Sequence, residues 1–281
     1  MTTNTITTAD IAVGDVSFHL STAGDPDHRP VLWLHGSGPG VTALTNWEAL
    51  LTTLSGDFYN IAPDIIGFGD STHPATPPQG ISAFTELRVE TLLALLDHLG
   101  IDEVDIVGNS MGAIIGLCLT LAHPHRVRRL VLMGPGGAPI PPTPGLLSLI
   151  RFYDDPTVEA MSRLLTQFVA DPSVFDDQLE AIASERMPRA TRSDVERSHR
   201  ATFAPTGGPL PITAETMATL RQPVLLVHGD SDRIIAPQAS HWYADVLPDA
   251  RLQVIEDAGH WLQLEQPTHF ADLLRDFLGA E

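Results

Sequence analysis

The 281-residue chain contains not one lysine. That absence excludes Schiff-base catalysis, pyridoxal chemistry and a Walker-type phosphate loop, each of which needs one. Cysteine is almost as scarce. With Cys118 alone, there is no internal disulfide, no Cys-x-x-Cys pair and no thiolate metal cluster. It sits in the run Ile114 to Leu119, where a thiol serves as a small hydrophobe. No apolar run reaches the roughly 18 residues of a membrane span, and Met1 to Asp10 lacks the basic start and apolar middle of a secretory leader, so a cytoplasmic location is expected. Positive charge is also short, with 16 arginines against 35 acidic residues and a formal net charge of −19. Such a surface repels nucleic acid and anionic membrane.

What is present is a soluble chain, 43% hydrophobic, long enough for one large α/β domain. Ile11, Val13, Val16, Phe18 and Leu20 alternate as in an antiparallel hairpin. Short apolar runs then read as buried strands: Val31 to Leu34, Tyr59 to Asp64, Val104 to Asn109, Val127 to Met133, Val224 to Val227 and Leu252 to Ile255. Helical patterns separate them, at Trp47 to Leu54, at Leu87 to Leu96 with Gly100 as its stop, at Ala239 to Val246 and at Pro267 to Leu278. Alternation of this kind predicts a mostly parallel sheet with helices on both faces.

From Gly134 the texture changes. Gly134 to Gly137 and the proline-rich Pro139 to Pro144 act as a hinge, and residues 146 to about 203 carry helical patterns without a convincing strand. Leu164, Leu165, Phe168 and Val169 have the spacing of one buried helix face. The expected organisation is an α/β core formed by residues 1–137 and 209–281, with a helical cap inserted over 138–208.

One strand runs straight into Gly108-Asn109-Ser110-Met111-Gly112 and then into an apolar helix. Gly-x-Ser-x-Gly in that setting is the signature of a nucleophile elbow, in which a tight turn projects the serine hydroxyl. Asp232 and His260 follow two later strands, so Ser110, Asp232 and His260 stand in the chain order of an α/β-hydrolase triad. In that triad His260 takes a proton from the serine or from water, Asp232 orients the imidazole, and Ser110 offers the nucleophilic oxygen. Asp230 is the rival acid. Backbone N–H groups of Ser37, in the glycine-rich loop after Val31 to Leu34, and of Met111 are the candidate oxyanion hole. His35 and His228, each before a glycine at a strand end, read as structural.

Four stretches together, Leu34-His35-Gly36-Ser37-Gly38-Pro39-Gly40 with Asn46-Trp47 behind it, Gly108 to Gly112, Leu132 to Gly137, and Gly259-His260-Trp261, give nearly the whole chain a resemblance to the meta-cleavage-product hydrolases. These are carbon–carbon bond hydrolases of the α/β-hydrolase superfamily. The resemblance implies hydrolysis of the C5–C6 bond of a 2-hydroxy-6-oxohexa-2,4-dienoate, with no metal or organic cofactor, in a homo-oligomer. It also implies a substrate site of Gly36, Gly38, Asn46, Asn109, Trp261 and an arginine from the cap. Arg186 fits that role, with Arg189 as its rival, and an anion entering so acidic a protein needs a local, preferably bidentate cation. One departure is Ala113, where many relatives carry glycine; its methyl is expected to narrow the pocket for the acid-side group. A serine esterase or lactonase on the same scaffold is the alternative, since fold does not fix function.

Overall fold

The structure, a computed structural model, describes residues 5–280. Eight strands and eleven α-helices follow in chain order: β1 (Thr7–Val13), β2 (Val16–Ala23), β3 (Pro30–Leu34), α1 (Ala43–Thr53), β4 (Tyr59–Pro63), α2 (Ile81–His98), β5 (Val104–Asn109), α3 (Met111–Ala122), β6 (Val127–Met133), α4 (Pro144–Ile150), α5 (Val158–Leu165), α6 (Leu179–Ala190), α7 (Ser193–Thr202), α8 (Ala214–Met217), β7 (Val224–Gly229), α9 (Gln238–Val246), β8 (Ala250–Ile255), α10 (Leu262–Glu265) and α11 (Pro267–Gly279). They build a single sheet of order β1-β2-β4-β3-β5-β6-β7-β8. β2 pairs antiparallel with both β1 and β4, and from β4 to β8 all pairings are parallel.

Alternation along the strands loads both faces. Leu32, Leu34, Ile106, Leu130, Leu132 and Leu226 point to the side covered by α2, α3 and α9. Val31, Trp33, Val107, Val131, Leu225 and Val227 point to the side of α1 and α11. This two-sided burial is why the parallel strands read as unbroken apolar runs. A third cluster joins α4, α5 and α6 to Ile234, Ile235 and Ala239 of the sheet domain. Between β6 and β7 the described chain is helical or irregular and has no strand.

Local signals account for several helix ends. Thr42 and Thr45 form a reciprocal capping box at the start of α1, each hydroxyl accepting the other's backbone N–H at 3.1 and 2.9 Å. At the end of α2, Gly100 adopts φ +70° while Ile101 N–H reaches back to Leu96 C=O at 2.9 Å, a Schellman closure that favours glycine.

One expectation needs correction. Leu164 and Leu165 end α5, so Phe168 and Val169 belong to the irregular segment beyond it. All four are buried nonetheless, and in Phe168 and Val169 the apolar spacing reports burial by tertiary contact. Ala113 is fully buried in the core, next to the place where a Cβ on Gly108 would stand.

The elbow depends on missing side chains. A Cβ on Gly112 would lie 2.1 Å from the Leu34 carbonyl oxygen, a backbone atom that cannot swing away. Gly112→Ala is expected to cost about 3 kcal/mol or more, or to prevent soluble expression. Gly56→Ala, at a site with nothing within 4 Å, is expected to be near neutral; denaturant melts of the two variants check the contrast.

Candidate active site

Ser110 occupies the turn between β5 and α3 with φ +55° and ψ −108°, a strained backbone for a residue with a side chain. Its N–H donates to Met133 C=O at 2.9 Å and its C=O accepts from Gly136 N–H at 3.3 Å, so the turn is held by the end of β6. Met111 opens α3, and its N–H is one of those a helix leaves without an intrahelical acceptor. The loop after β3 runs alongside. A Cβ on Gly36 would stand 2.6 Å from Asn109 Oδ1 and 3.4 Å from Ser110 Cβ, so this glycine lets the Ser37 segment approach the serine.

His260 and Asp232 meet on the far side. His260 Nδ1–H donates to Asp232 Oδ2 at 2.6 Å, and Asp232 Oδ1 accepts the N–H groups of Ile234 and Ile235 at 2.8 and 2.9 Å. Both side chains are buried, with Gly134 beside them: a Cβ there would come within 2.9 Å of His260 Nδ1 and 3.2 Å of Asp232 Oδ2. Burial pushes the Asp232 carboxyl up, but the imidazoles of His260 and His228 outweigh it and hold the group well below its usual range. Asp230, the rival acid, is exposed and engaged by Ser231 Oγ at 2.9 Å.

The two candidate arginines lie three residues apart on α6 and go to different places. Arg189 Nη2 lies 3.5 Å from Asp70 Oδ2. Arg186 Nε donates to Pro39 C=O at 2.7 Å, its guanidinium stands 5.8 Å from the Trp261 ring centre, and a Cβ on Gly38 would be 3.4 Å from Nη2. Among the described residues no carboxylate lies within ion-pair distance of Arg186. Burial, reinforced by Arg189, lowers its pKa to about 10, so it is still a cation at neutral pH.

Two buried asparagines in this region each keep one polar atom without a partner. Asn46 Oδ1 accepts Gly36 N–H at 3.4 Å, which leaves Nδ2 without a partner; Asn109 Nδ2 donates to Met133 C=O at 3.2 Å, which leaves Oδ1 without one. Both side chains are buried. Buried polar groups in a native fold are ordinarily satisfied, and exceptions at a cleft mark where a ligand or water completes the set. Asn46, Arg186 and Trp261 also line a cleft of 590 Å³ between α1, α6 and α10. Ser110, Asn109 and His260 do not line it.

The α/β-hydrolase fold model matches residues 29–267. The chain is 38% identical over 253 residues to a 2-hydroxymuconate semialdehyde hydrolase of Pseudomonas sp. strain CF600, covering 89% of this chain and 86% of that one. A 2-hydroxy-6-oxo-2,4-heptadienoate hydrolase of Pseudomonas putida strain F1 is 35% identical, with 96% of each covered. The solved 2-hydroxy-6-oxo-6-phenylhexa-2,4-dienoate hydrolase of Rhodococcus sp. strain RHA1 superposes with a TM-score of 0.93 at 36% identity, covering 98% of this chain and 99% of that one. The chain belongs to the meta-cleavage-product hydrolases. Sequence reasoning missed three residues in this family member's site. Phe168 stacks on Trp261 at 4.4 Å and lies 5.6 Å from the His260 ring. Glu265 uses Oε2 to accept Gly259 N–H and Oε1 to accept Ala170 N–H, both at 2.6 Å, tying the His260 loop to the segment after α5. His228, read as structural, reaches Asp232. None has a local motif; each gains its place from a partner distant in sequence or across a turn.

Asp232→Asn is expected to lower turnover by about 10³–10⁴-fold, because the amide no longer fixes the imidazole tautomer. A depressed folded-state pKa stabilises the fold above roughly pH 4, and that contribution is lost as pH falls; the variant is therefore expected to show a shallower acid-side loss of Tm. Glu265→Ala strips three backbone N–H groups, of Gly259, Ala170 and Asp171, of their acceptor and is expected to cost about 2–3 kcal/mol in urea melts.

Proposed function

We propose that this hydrolase cleaves the C5–C6 bond of a 2-hydroxy-6-oxohexa-2,4-dienoate to 2-hydroxypenta-2,4-dienoate and a carboxylic acid. The observation that carries the reading is Arg186, a cation without a counter-ion, set beside the unpartnered Asn46 amide and next to Trp261. A neutral ester has no use for that charge, whereas the dienoate carboxylate supplies the missing anion.

The residues then take these roles. Arg186 and Asn46 hold the carboxylate end against Trp261, with Asn109 at the dienoate oxygens, while Gly36 and Gly38 let the substrate lie close to the backbone. His260, held by Asp232, moves the 2-hydroxyl proton to C5, leaving a ketone at C2. An oxygen nucleophile deprotonated by His260 at the Ser110 position adds to the C6 carbonyl, and the N–H groups of Ser37 and Met111 receive the developing oxyanion. The C5–C6 bond breaks with its electron pair delocalised through C4 and C3 onto the C2 oxygen. Protonation there gives the dienol product, and one water in total ends in the carboxylic acid. The helical segment 138–208 serves as the lid that brings Arg186 over the site.

Purified protein is expected to bleach a yellow ring-fission dienoate and release one carboxylic acid per turnover. Arg186→Ala is expected to depress kcat/KM for the dienoate by about 10²-fold or more while changing hydrolysis of a neutral ester several-fold at most. Persistence of several dienoates alongside efficient ester hydrolysis makes the protein an esterase, and equal losses on both substrates remove Arg186 from the carboxylate.

A further inference from the structure

Two imidazoles lie within ion-pair distance of Asp232, and the proposed triad uses only one of them. His228 Nε2 stands 3.1 Å from Asp232 Oδ2 and 2.9 Å from Ile235 C=O. Both neighbours are acceptors only, so Nε2 carries the hydrogen, which it donates to Ile235 C=O with Asp232 Oδ2 alongside. On the other side of the ring, Nδ1 lies 2.7 Å from Ser240 Oγ. With Nε2 protonated, the neutral ring accepts the Ser240 hydroxyl proton at Nδ1, which fixes the tautomer. His228 and Ser240 are both fully buried, so water does not supply these bonds.

We propose that Ser240 and His228 form a positioning pair that extends the triad behind Asp232, making one chain of polar contacts from α9 to His260. The proposal rests on Ser110, Asp232 and His260 acting as a triad and not on the identity of the substrate. The second imidazole does two things through the carboxylate. It fixes Oδ2 on the His260 side of the Asp232 rotamer, whose Oδ1 is already taken by Ile234 and Ile235. It also draws off part of the carboxylate charge, which weakens the pull of Asp232 on a proton at His260 and leaves that ring free to act as a base. The Ser240 hydroxyl polarises the ring and strengthens its Nε2–H as a donor. Around the carboxylate, the loop after β7 presents exposed Asp230 and Arg233, the loop after β8 presents His260, and α10 presents Glu265. Of these His260 alone bonds Asp232; Glu265 is engaged by Gly259 and Ala170.

The test uses the intact enzyme and a fluorophosphonate, which phosphonylates an activated serine whatever the natural substrate. The rate of inactivation is followed against pH. For His228→Ala the acid limb is expected to move up by about one pH unit, because the carboxylate with one donor fewer favours the imidazolium. His228→Gln, which keeps an N–H at the Nε2 position, is expected to return the limb towards the wild-type pH. Ser240→Ala is expected to move it the same way by less, and serves alone if His228→Ala does not fold. Acid limbs unchanged in the variants that fold, whatever their maximal rates, overturn the proposal. A wild type that the phosphonate does not label at Ser110 overturns the triad on which it rests, whereas labelling with the expected shifts but no dienoate turnover leaves the positioning pair intact and removes only the carbon–carbon reading.

Discussion

The Leu34 carbonyl oxygen stands 2.1 Å from where a Cβ on Gly112 would be, and Gly108 meets the Gly112 carbonyl at 2.7 Å in the same sense. No residue but glycine satisfies either contact, so α3 can be drawn against β3 and β5 only with this sequence at the turn. The geometry of the catalytic end follows from that closeness. It carries the loop after β3 past the elbow, placing the backbone at Gly36 beside Ser110. The φ of +55° at Ser110 is held by hydrogen bonds to both Met133 and Gly136, so strain at the elbow is borne by the strand next to it.

The helical segment between β6 and β7 is secured to this rigid end at several places, two of them at the glycine loop and the His260 loop. The glycine loop presses on the last turn of α6, where a Cβ on Gly40 would lie 3.1 Å from both Arg186 C=O and Ala190 N, and Arg186 returns the contact through Pro39. Glu265 makes the second attachment, between the His260 loop and Ala170. Between these two ties lie Trp261 and Phe168, stacked on each other. An arginine without a counter-ion is costly when partly desolvated. In the proposed function the fold bears that cost where an incoming carboxylate would relieve it, in a chain whose overall charge repels anions.

Much of this was legible from residues alone. Runs such as Val104 to Val107 and Val224 to Val227 announced parallel strands because both faces of the sheet are covered, and the elbow, Asp232 and His260 announced themselves by order and strand-end position. Other features were not legible. Arg186 and Arg189 share a helix face three residues apart, and only Asp70 on one side and Pro39 on the other tell them apart. Phe168 and Val169 kept a helical spacing after the helix had ended, since periodicity records burial and not backbone. His228 resembled His35, which is buried, lowered in pKa chiefly by burial, and bonded through its ring nitrogens to the backbone of Ile65 and Gly36. What separates the two histidines is a carboxylate at 3.1 Å, which follows from the turn after β7.

The central claim is that Arg186 is left unpaired in order to receive a substrate carboxylate. Calorimetric titration of 2-hydroxypenta-2,4-dienoate into the Ser110→Ala protein, with and without Arg186→Met, tests it without any dependence on chemistry. A weakening of Kd by about 30-fold or more on loss of the guanidinium is the predicted result, the value of a charge-assisted pair at a half-buried site. An unchanged Kd would contradict the account.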